Sequence, residues 1–540
     1  MTLSSYLKQT EVSRDSLYLY GLLALLASPL IWLAADYVRI LRLRRKMPPG
    51  PFPLPLVGNF FQLPKHQPWI EWETWSDTYK SSMITIWNGH RPVIICNDIW
   101  SISELLDKRA AIYSSRPHHV VMGDMMNMSE TNQVCQKYGD AWRLHRRLMH
   151  TIVGSQSVRN YRSHQSNESK VLLRDLLLSP DDFDMSIERY SCSVVSILGW
   201  GRRIDRMNDA VAQVALSFME GVNFVVPGLY IMEAIPWLAK LPGWLYPLPS
   251  IILKSSKHMQ RYFAALAKEA AANSTEDNFS KSLLTAQREH GITDEDISSL
   301  TANMIGGGVD TTTSSTLTLI LAMCVFPEVQ RKAQEELDRV VGQDRYPEWA
   351  DEEHLPYIRA VVSETLRWRT VTILGGIPHA PIRDDEYNGY SIPKDTAITG
   401  NLWAIHRNPR EFPEPDVFRP ERFLDGLERP YPNKKGHNAF GWGRRQCSGQ
   451  PLAEQGLFIT IARMIWAFNM QPGLDENNRP AKLDIFAYSD CENMRPKKFK
   501  ARFTPRTQQI KDLILHEAAE ARELLRPLDG ETAITMASVA

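Results

Sequence analysis

The 540-residue chain lacks a net charge: 62 lysines and arginines balance 62 aspartates and glutamates. That balance argues against a global electrostatic attraction to nucleic acid, so no nucleic-acid partner is expected and any charged docking surface must be local. Cysteine is scarce, with six residues, and no two form a C-x-x-C pair. Zinc ribbons and four-cysteine iron–sulfur sites are therefore disfavoured. So is a disulfide scaffold, and a reducing compartment fits. No G-x-G-x-x-G is present, so no nicotinamide or flavin module of that kind is fused to the chain. Low-complexity linkers and internal repeats are missing between residues 57 and 505.

What is there is enough for a large core, since 43% of the residues are hydrophobic and 23% charged. Residues Leu17 to Ala35 carry no charge over 19 positions. As a helix they would extend about 28 Å, the thickness of a bilayer core. Arg39, Arg42, Arg44, Arg45 and Lys46 follow, which would leave the rest of the chain in the cytosol. The stretch "PPGPFPLPLVGN" then reads as a stiff hinge, because proline fixes φ and cannot continue a helix. A second apolar patch, Phe224 to Pro249, is broken by five prolines and is too interrupted to span. It is either core or a surface element on the membrane.

The expected organisation is a short lumenal N-terminus (1–16), a transmembrane anchor (17–35), a basic and proline-rich hinge (36–56), a catalytic domain (57–505), and a C-terminal helix and tail (506–540). Long amphipathic patterns outnumber the short strand-like runs Met83–Trp87 and Pro92–Cys96. The expected fold class is mostly α with small β-sheets (α+β).

Four stretches carry chemistry. In "AFGWGRRQCSGQPLAEQ" a single thiol, Cys447, sits among glycines and arginines before an apolar helical run. A thiolate needs positive charge or backbone N–H groups. Gly443 and Gly449 permit φ > 0 and amides aimed at the sulfur, the helix start favours an anion, and Arg444 and Arg445 add charge. Such a thiolate suits one axial metal bond, with haem as the obvious case; an incidental cysteine in a surface loop has the same composition. The second stretch, Ile297 to Phe326, has one charged residue, Asp310, in "MIGGGVDTTTSS". "TDED" supplies a capping box before it, and the Gly/Ser/Thr density favours a buried core helix over a membrane span. Gly306, Gly307 and Gly308 leave room for a flat ligand. Asp310 with Thr311 forms either a proton relay facing a cavity or a satisfied turn motif. Third, Glu364 and Arg367 in "SETLRW" pair at i,i+3, with Arg422 of "FRPERF" as a third member. Fourth, Trp142 and Arg146 share one face of "DAWRLHRRLMH".

Together these motifs resemble the cytochrome P450 family of haem-thiolate monooxygenases. "FGWGRRQCSG" is similar to its FxxGxRxCxG loop, with Phe440, Gly443, Arg445, Cys447 and Gly449 at the fixed positions. "GGVDTT" resembles its oxygen-activating helix motif, "ETLR" and "PERF" its structural triad, Trp142 and Arg146 its WxxxR pair, and "PPGP" the hinge of membrane-bound members. The resemblance implies that fold, preceded by a transmembrane helix. It implies haem b as cofactor with Cys447 as axial thiolate, whose donation favours O–O cleavage. Trp142, Arg146 and Arg445 would bind haem propionates, with His379 as a further contact, and Asp310 and Thr311 would deliver protons through water. Glu364, Arg367 and Arg422 would hold the fold.

By the same analogy the pocket would draw on Ser114–Cys135, Phe224–Tyr230, the Asn303–Asp310 face, Thr370–Ile377 and Ala487–Asp490. It would suit a lipophilic small molecule. The implied partners are membrane lipid and an NADPH-cytochrome P450 reductase, with cytochrome b5 as a second donor; Arg143, Arg147, Lys434 and Lys435 are the docking candidates. The style of the chain resembles fungal microsomal members of secondary metabolism, anchored in the endoplasmic reticulum with a cytosolic catalytic domain. Hydroxylation, oxidative coupling, desaturation, ring rearrangement and oxidation of a small aromatic acid all remain open.

Overall fold

A computed structural model describes residues 14–220, 228–274, 276–424 and 431–540. Among the described residues helices dominate, and the strands form three small sheets. In the largest, Met83–Asn88 pairs antiparallel with Arg91–Cys96 in the register Met83 to Cys96. Gly89, at φ +63°, and His90 form the two-residue turn between them. Positive φ at that position is what such a hairpin requires. Ala397–Gly400 adds a parallel third strand. Asp385–Tyr387 with Tyr390–Ile392, and Phe468–Pro472 with Ala501–Pro505, form the other two sheets.

The central element is the helix Asp294–Val325. Its capping box is present: Thr293 Oγ1 accepts the Asp296 N–H at 3.1 Å, and Asp296 Oδ2 accepts the Thr293 N–H at 2.8 Å. Proline cannot donate into a helix, and Pro327 opens the next one at an angle of 104°. From Thr313 to Cys324 every side chain is buried. The helices Phe183–Trp200, Leu248–Asn273 and Gln450–Ala467 pack around it. The last of these is buried continuously from Gln455 to Ala467. A hydrophobic stripe alone would bury one face; burial on all faces makes Thr313–Cys324 and Gln455–Ala467 the middle of the core.

The C-terminal helix Gln508–Leu525 buries Ile510, Ile514, Ala518, Ala521 and Leu525 along one face, against the helix Arg162–Leu178. The N-terminal segment forms a helix, Arg14–Arg44, with Pro29 inside it. Leu22, Leu23, Leu25, Leu30, Ile31 and Trp32 on it are exposed. Among the described residues no single helix is long and apolar enough to cross a membrane. The span expected at 17–35 therefore gains no support from the described helices. Residues 1–13 and 221–227 lie outside the described residues, and with them most of the expected lumenal segment and Phe224–Pro227 of the second apolar patch.

Candidate active site

A cavity of about 710 Å³ lies between the long helix Asp294–Val325 and the cysteine loop. The loop is fixed from several sides. Gly441 (φ +77°) and Gly443 (φ +52°) adopt left-handed backbone. A Cβ at Gly443 would lie 2.2 Å from the Leu106 carbonyl oxygen, so glycine is required there by space as well as by φ. The Gly443 N–H donates to Asp107 Oδ1 at 2.7 Å, and the Cys447 N–H donates to the Phe440 carbonyl at 2.9 Å. Gly449 differs from expectation: its φ is −84°, so it is not there for a left-handed turn. It is the residue on which the helix Gln450–Ala467 begins.

Of the six cysteines, Cys447 alone lines the cavity. It is accessible from within the cavity and otherwise enclosed by protein. Burial pushes its thiol pKa up; the amides of Gly449 and Gln450 and the Arg146 guanidinium oppose that. The charge beside the sulfur is thus Arg146, not Arg444. Arg444 is exposed and donates to the Tyr138 hydroxyl at 2.6 Å.

Trp142, Arg146, Arg445, His379 and Phe440, the residues the resemblance assigns to haem, all line the cavity, and so does Arg116, which it does not single out. Arg146 donates to Ser448 Oγ at 2.8 Å and to the Gln446 carbonyl at 2.5 Å. Arg445 lies over the Trp142 ring at 4.5 Å and donates to the carbonyls of Ser114, Gln133 and Gln136. Arg116 donates to the carbonyls of Val134, Ile377 and Pro378. His379 Nδ1 meets the Tyr113 carbonyl at 2.9 Å. Among the described residues none of these three arginines pairs with a carboxylate. Burial, with Arg116 adding to it, holds the Arg445 pKa down to about 8, and burial holds Arg116 down to about 10. Buried cations without counter-charge are costly, so this edge of the cavity is built for an anionic ligand.

On the opposite wall, Gly307, Gly308, Thr311, Thr312 and Ser315 of the long helix face the cavity. A Cβ added at Gly307 would meet nothing within 4 Å, which leaves the helix surface flat there. Thr311 Oγ1 donates to the Gly307 carbonyl at 2.6 Å. Asp310 does not line the cavity; its Oδ2 accepts from Asn493 Nδ2 at 3.0 Å. Burial raises its pKa, against the Asn493 hydrogen bond and the Arg495 charge.

Beneath the loop, Arg367 donates to both oxygens of Glu364 at 2.7 Å, and neither side chain has any exposure. Arg422 approaches Glu364 at 3.5 Å as an ion pair. The three predicted members are together.

The predicted pocket segments are only partly right. Met122, Met126 and Met128, Asn303 and the run Val371–Ile377 contribute lining residues, as does Tyr230. Ala487–Asp490 does not. Tyr488 turns into the core, where its hydroxyl meets Thr318 Oγ1 at 3.2 Å, and Asp490 faces out to His66. Asn493 takes the place at the cavity wall. Met149, Val194, Ile252, Met259 and Phe263 were missed; they lie on ordinary amphipathic helices with no local mark to separate lining from core.

A planar ligand bearing two carboxylates and a metal that accepts one thiolate fits these residues: arginines on one edge, a single thiol on one face, a glycine-flattened helix on the other. Haem b is such a ligand. The fold and site thus define a haem-thiolate protein. The cytochrome P450 family model matches residues 48–488. A cytochrome P450 monooxygenase of Armillaria gallica is 34% identical over 500 residues, covering 89% of this chain and 93% of its own length. Cytochrome P450 monooxygenase 58 of Postia placenta is 32% identical, covering 87% and 90%. One from Aspergillus ruber is 33% identical, covering 90% and 91%. A zebrafish cytochrome P450 solved with progesterone superposes with a TM-score of 0.66 at 24% identity, covering 81% of this chain and 99% of that one, and shows the shared fold. The chain belongs to the cytochrome P450 family. It is a monooxygenase of that family, whose cofactor is haem iron on a cysteine thiolate.

Proposed function

We propose that this monooxygenase oxidises a lipophilic small molecule of fungal secondary metabolism, drawing electrons from an NADPH-cytochrome P450 reductase. The observation that carries the reading is the cavity that Cys447 and Thr311 both line, continuous with a wall of methionines and other apolar side chains. Methionines adapt to varied shapes. The fungal origin of the relatives named above supports the setting.

Haem bound there supplies the activation of dioxygen. The chain's own residues do the rest. Cys447 would supply the thiolate that holds the haem iron. Arg146, Arg445 and Trp142 would hold its propionates, with His379 and Arg116 beside them. Thr311, its hydroxyl tethered to Gly307, keeps a polar group in the cavity, and Asp310 supplies the proton that Thr311 helps deliver. Electrons enter across a proximal face carrying Arg143, Arg147, Lys434 and Lys435, all exposed; two are partnered, Arg143 with Asp140 and Lys435 with Glu454. Cytochrome b5 would use the same face.

The chain is anchored by the uncharged run at 17–35 to the endoplasmic reticulum, with the catalytic domain in the cytosol. The exposed leucines of that helix and the basic residues after it support this. Trp237, Trp244, Leu245 and Ile251 give a second exposed apolar surface suited to lipid.

The test is expression with a reductase in a host fed extracts of the producing fungus. Products 16 daltons heavier, shifting to 18 daltons heavier under oxygen-18 dioxygen, are expected. Products without label would reject oxygen insertion, and the absence of any reductase-dependent product would reject the reading.

A further inference from the structure

Asp310 and Thr311 are neighbours on one helix, so their side chains leave it about 100° apart and do not face each other. Thr311 faces the cavity; Asp310 faces Asn493. Among the described residues, Asn493 is the side chain in hydrogen-bonding geometry with that carboxyl. The cation acting on it, Arg495, is paired with Glu188 of the helix Phe183–Trp200. Ser314 lies one turn on but makes no hydrogen bond by geometry.

Asn493 is itself held firmly. Its backbone bridges to Thr372. On either side the Ile373 N–H donates to the Glu492 carbonyl at 3.0 Å, and the Met494 N–H donates to the Val371 carbonyl at 2.7 Å. Asn493 also lines the cavity. One residue therefore meets both the acid and the space in which the reaction takes place.

We propose that Asn493 is the positioning residue of the Asp310 acid: its amide fixes the carboxyl in the wall beside the space that Thr311 faces. The inference rests on the reading that Asp310 and Thr311 move protons. A carboxylate that keeps one donor is held in one rotamer and binds its proton less tightly than one that loses it. Arg495, itself paired with Glu188, is the charged group acting on this carboxyl from a neighbouring element, and both are retained in the variants below.

The experiment compares wild-type holoenzyme with Asn493→Leu and Asn493→Asp, each first checked for an unaltered visible spectrum of its reduced carbon monoxide complex. Asp310 is titrated by infrared difference against Asp310→Asn, with no turnover. Hydrogen peroxide released per NADPH is measured separately, with reductase and no added substrate. The expected result is a proton affinity of Asp310 raised about tenfold in Asn493→Leu, the effect of losing one hydrogen bond to a charged group. A larger rise is expected in Asn493→Asp, where a like charge is added, and the peroxide share changes in both. An unmoved titration overturns the inference. So does a moved titration with a wild-type peroxide share, when Asp310→Asn does alter that share; proton delivery by Asp310 then stands without Asn493. If neither Asp310→Asn nor Thr311→Ala changes the peroxide share, the proton-delivery reading falls and takes the inference with it.

Discussion

His406 Nε2 accepts the backbone N–H of Asn438 at 3.0 Å, while the backbone carbonyl of the same histidine accepts Arg367 Nη1 at 2.7 Å. One buried residue thus joins the Glu364–Arg367 pair to the approach of the cysteine loop. Its Nδ1 meets Thr370 Oγ1 at 2.6 Å, so both ring nitrogens are occupied. His406→Leu keeps the bulk and leaves a buried N–H unpaired. A loss of about 1–3 kcal/mol is expected, together with lower haem content, read by chemical denaturation and by the carbon monoxide difference spectrum. Full haem occupancy at unchanged stability would contradict this link.

Glu364→Gln should be more severe. It leaves the Arg367 guanidinium charged and fully buried beside a neutral partner. Removing one member of such a pair costs about 3–5 kcal/mol, a large part of the stability of an ordinary domain. Poor soluble yield without a thiolate-type carbon monoxide band is the expected outcome. Wild-type yield would show that the pair is dispensable.

Thr311→Ala removes the hydroxyl from the cavity wall without touching Cys447. Positioned proton transfer is worth at least about a hundredfold in favourable cases, so product formed per NADPH should fall by about tenfold or more and peroxide should rise. Unchanged coupling would show that another group delivers the proton.

Much of this site could be read in the sequence because its parts are local. Cys447 with its glycines, the Glu364–Arg367 spacing, the Trp142–Arg146 face and the capping box before the long helix each sit within one element. What could not be read depends on chain segments far apart. Arg116 donates to Ile377, 261 residues away, and nothing around it marks it as a cavity cation. Asn493 meets Asp310 across 183 residues. Asp310 itself was expected to face the cavity, and the helix geometry turns it aside. Trp442, wedged against Gly375 and Gly400, where an added Cβ would come within 2.4 Å of its ring, is likewise invisible in the local pattern.

Glu233 ties the segment Val120–Met125 to the short helix Ile231–Ala234. Its two oxygens accept the N–H groups of Val120 and Val121 at 3.1 and 2.8 Å, and Arg91 lies 3.3 Å from one of them. Glu233→Ala leaves two buried amides and a guanidinium without that acceptor. A local loss of about 2–3 kcal/mol is expected. Hydrogen exchange at Val120 and Val121 should then accelerate about thirtyfold or more, while the helix Gln450–Ala467 keeps its protection. Unaltered exchange at those two amides would show that the carboxylate does not hold them.

Acid stability follows from two buried histidines. Burial, with His437 and Arg367 adding to it, holds the His406 pKa well below 6.5. Burial, with Lys435 adding to it, holds the His437 pKa down to about 3. Both stay neutral in the fold, whereas the unfolded chain protonates them near 6.5. Their contribution is therefore fully present above about pH 6.5 and is lost as the pH falls towards their folded values. Each proton taken up by the unfolded chain alone steepens the loss by about 1.4 kcal/mol per pH unit. Glu492 works in the opposite sense: burial raises its pKa to about 7, so its contribution is full below about 4.5 and fades as the pH rises to 7. With His119 and His379 also held down by burial, the buried histidines outweigh that carboxyl and leave a net decline between pH 6 and 5. Denaturant midpoints across that interval should fall, and the slope should flatten in His437→Gln, whose side chain does not titrate. A flat profile in the wild-type chain would mean that the two rings are protonated in the fold.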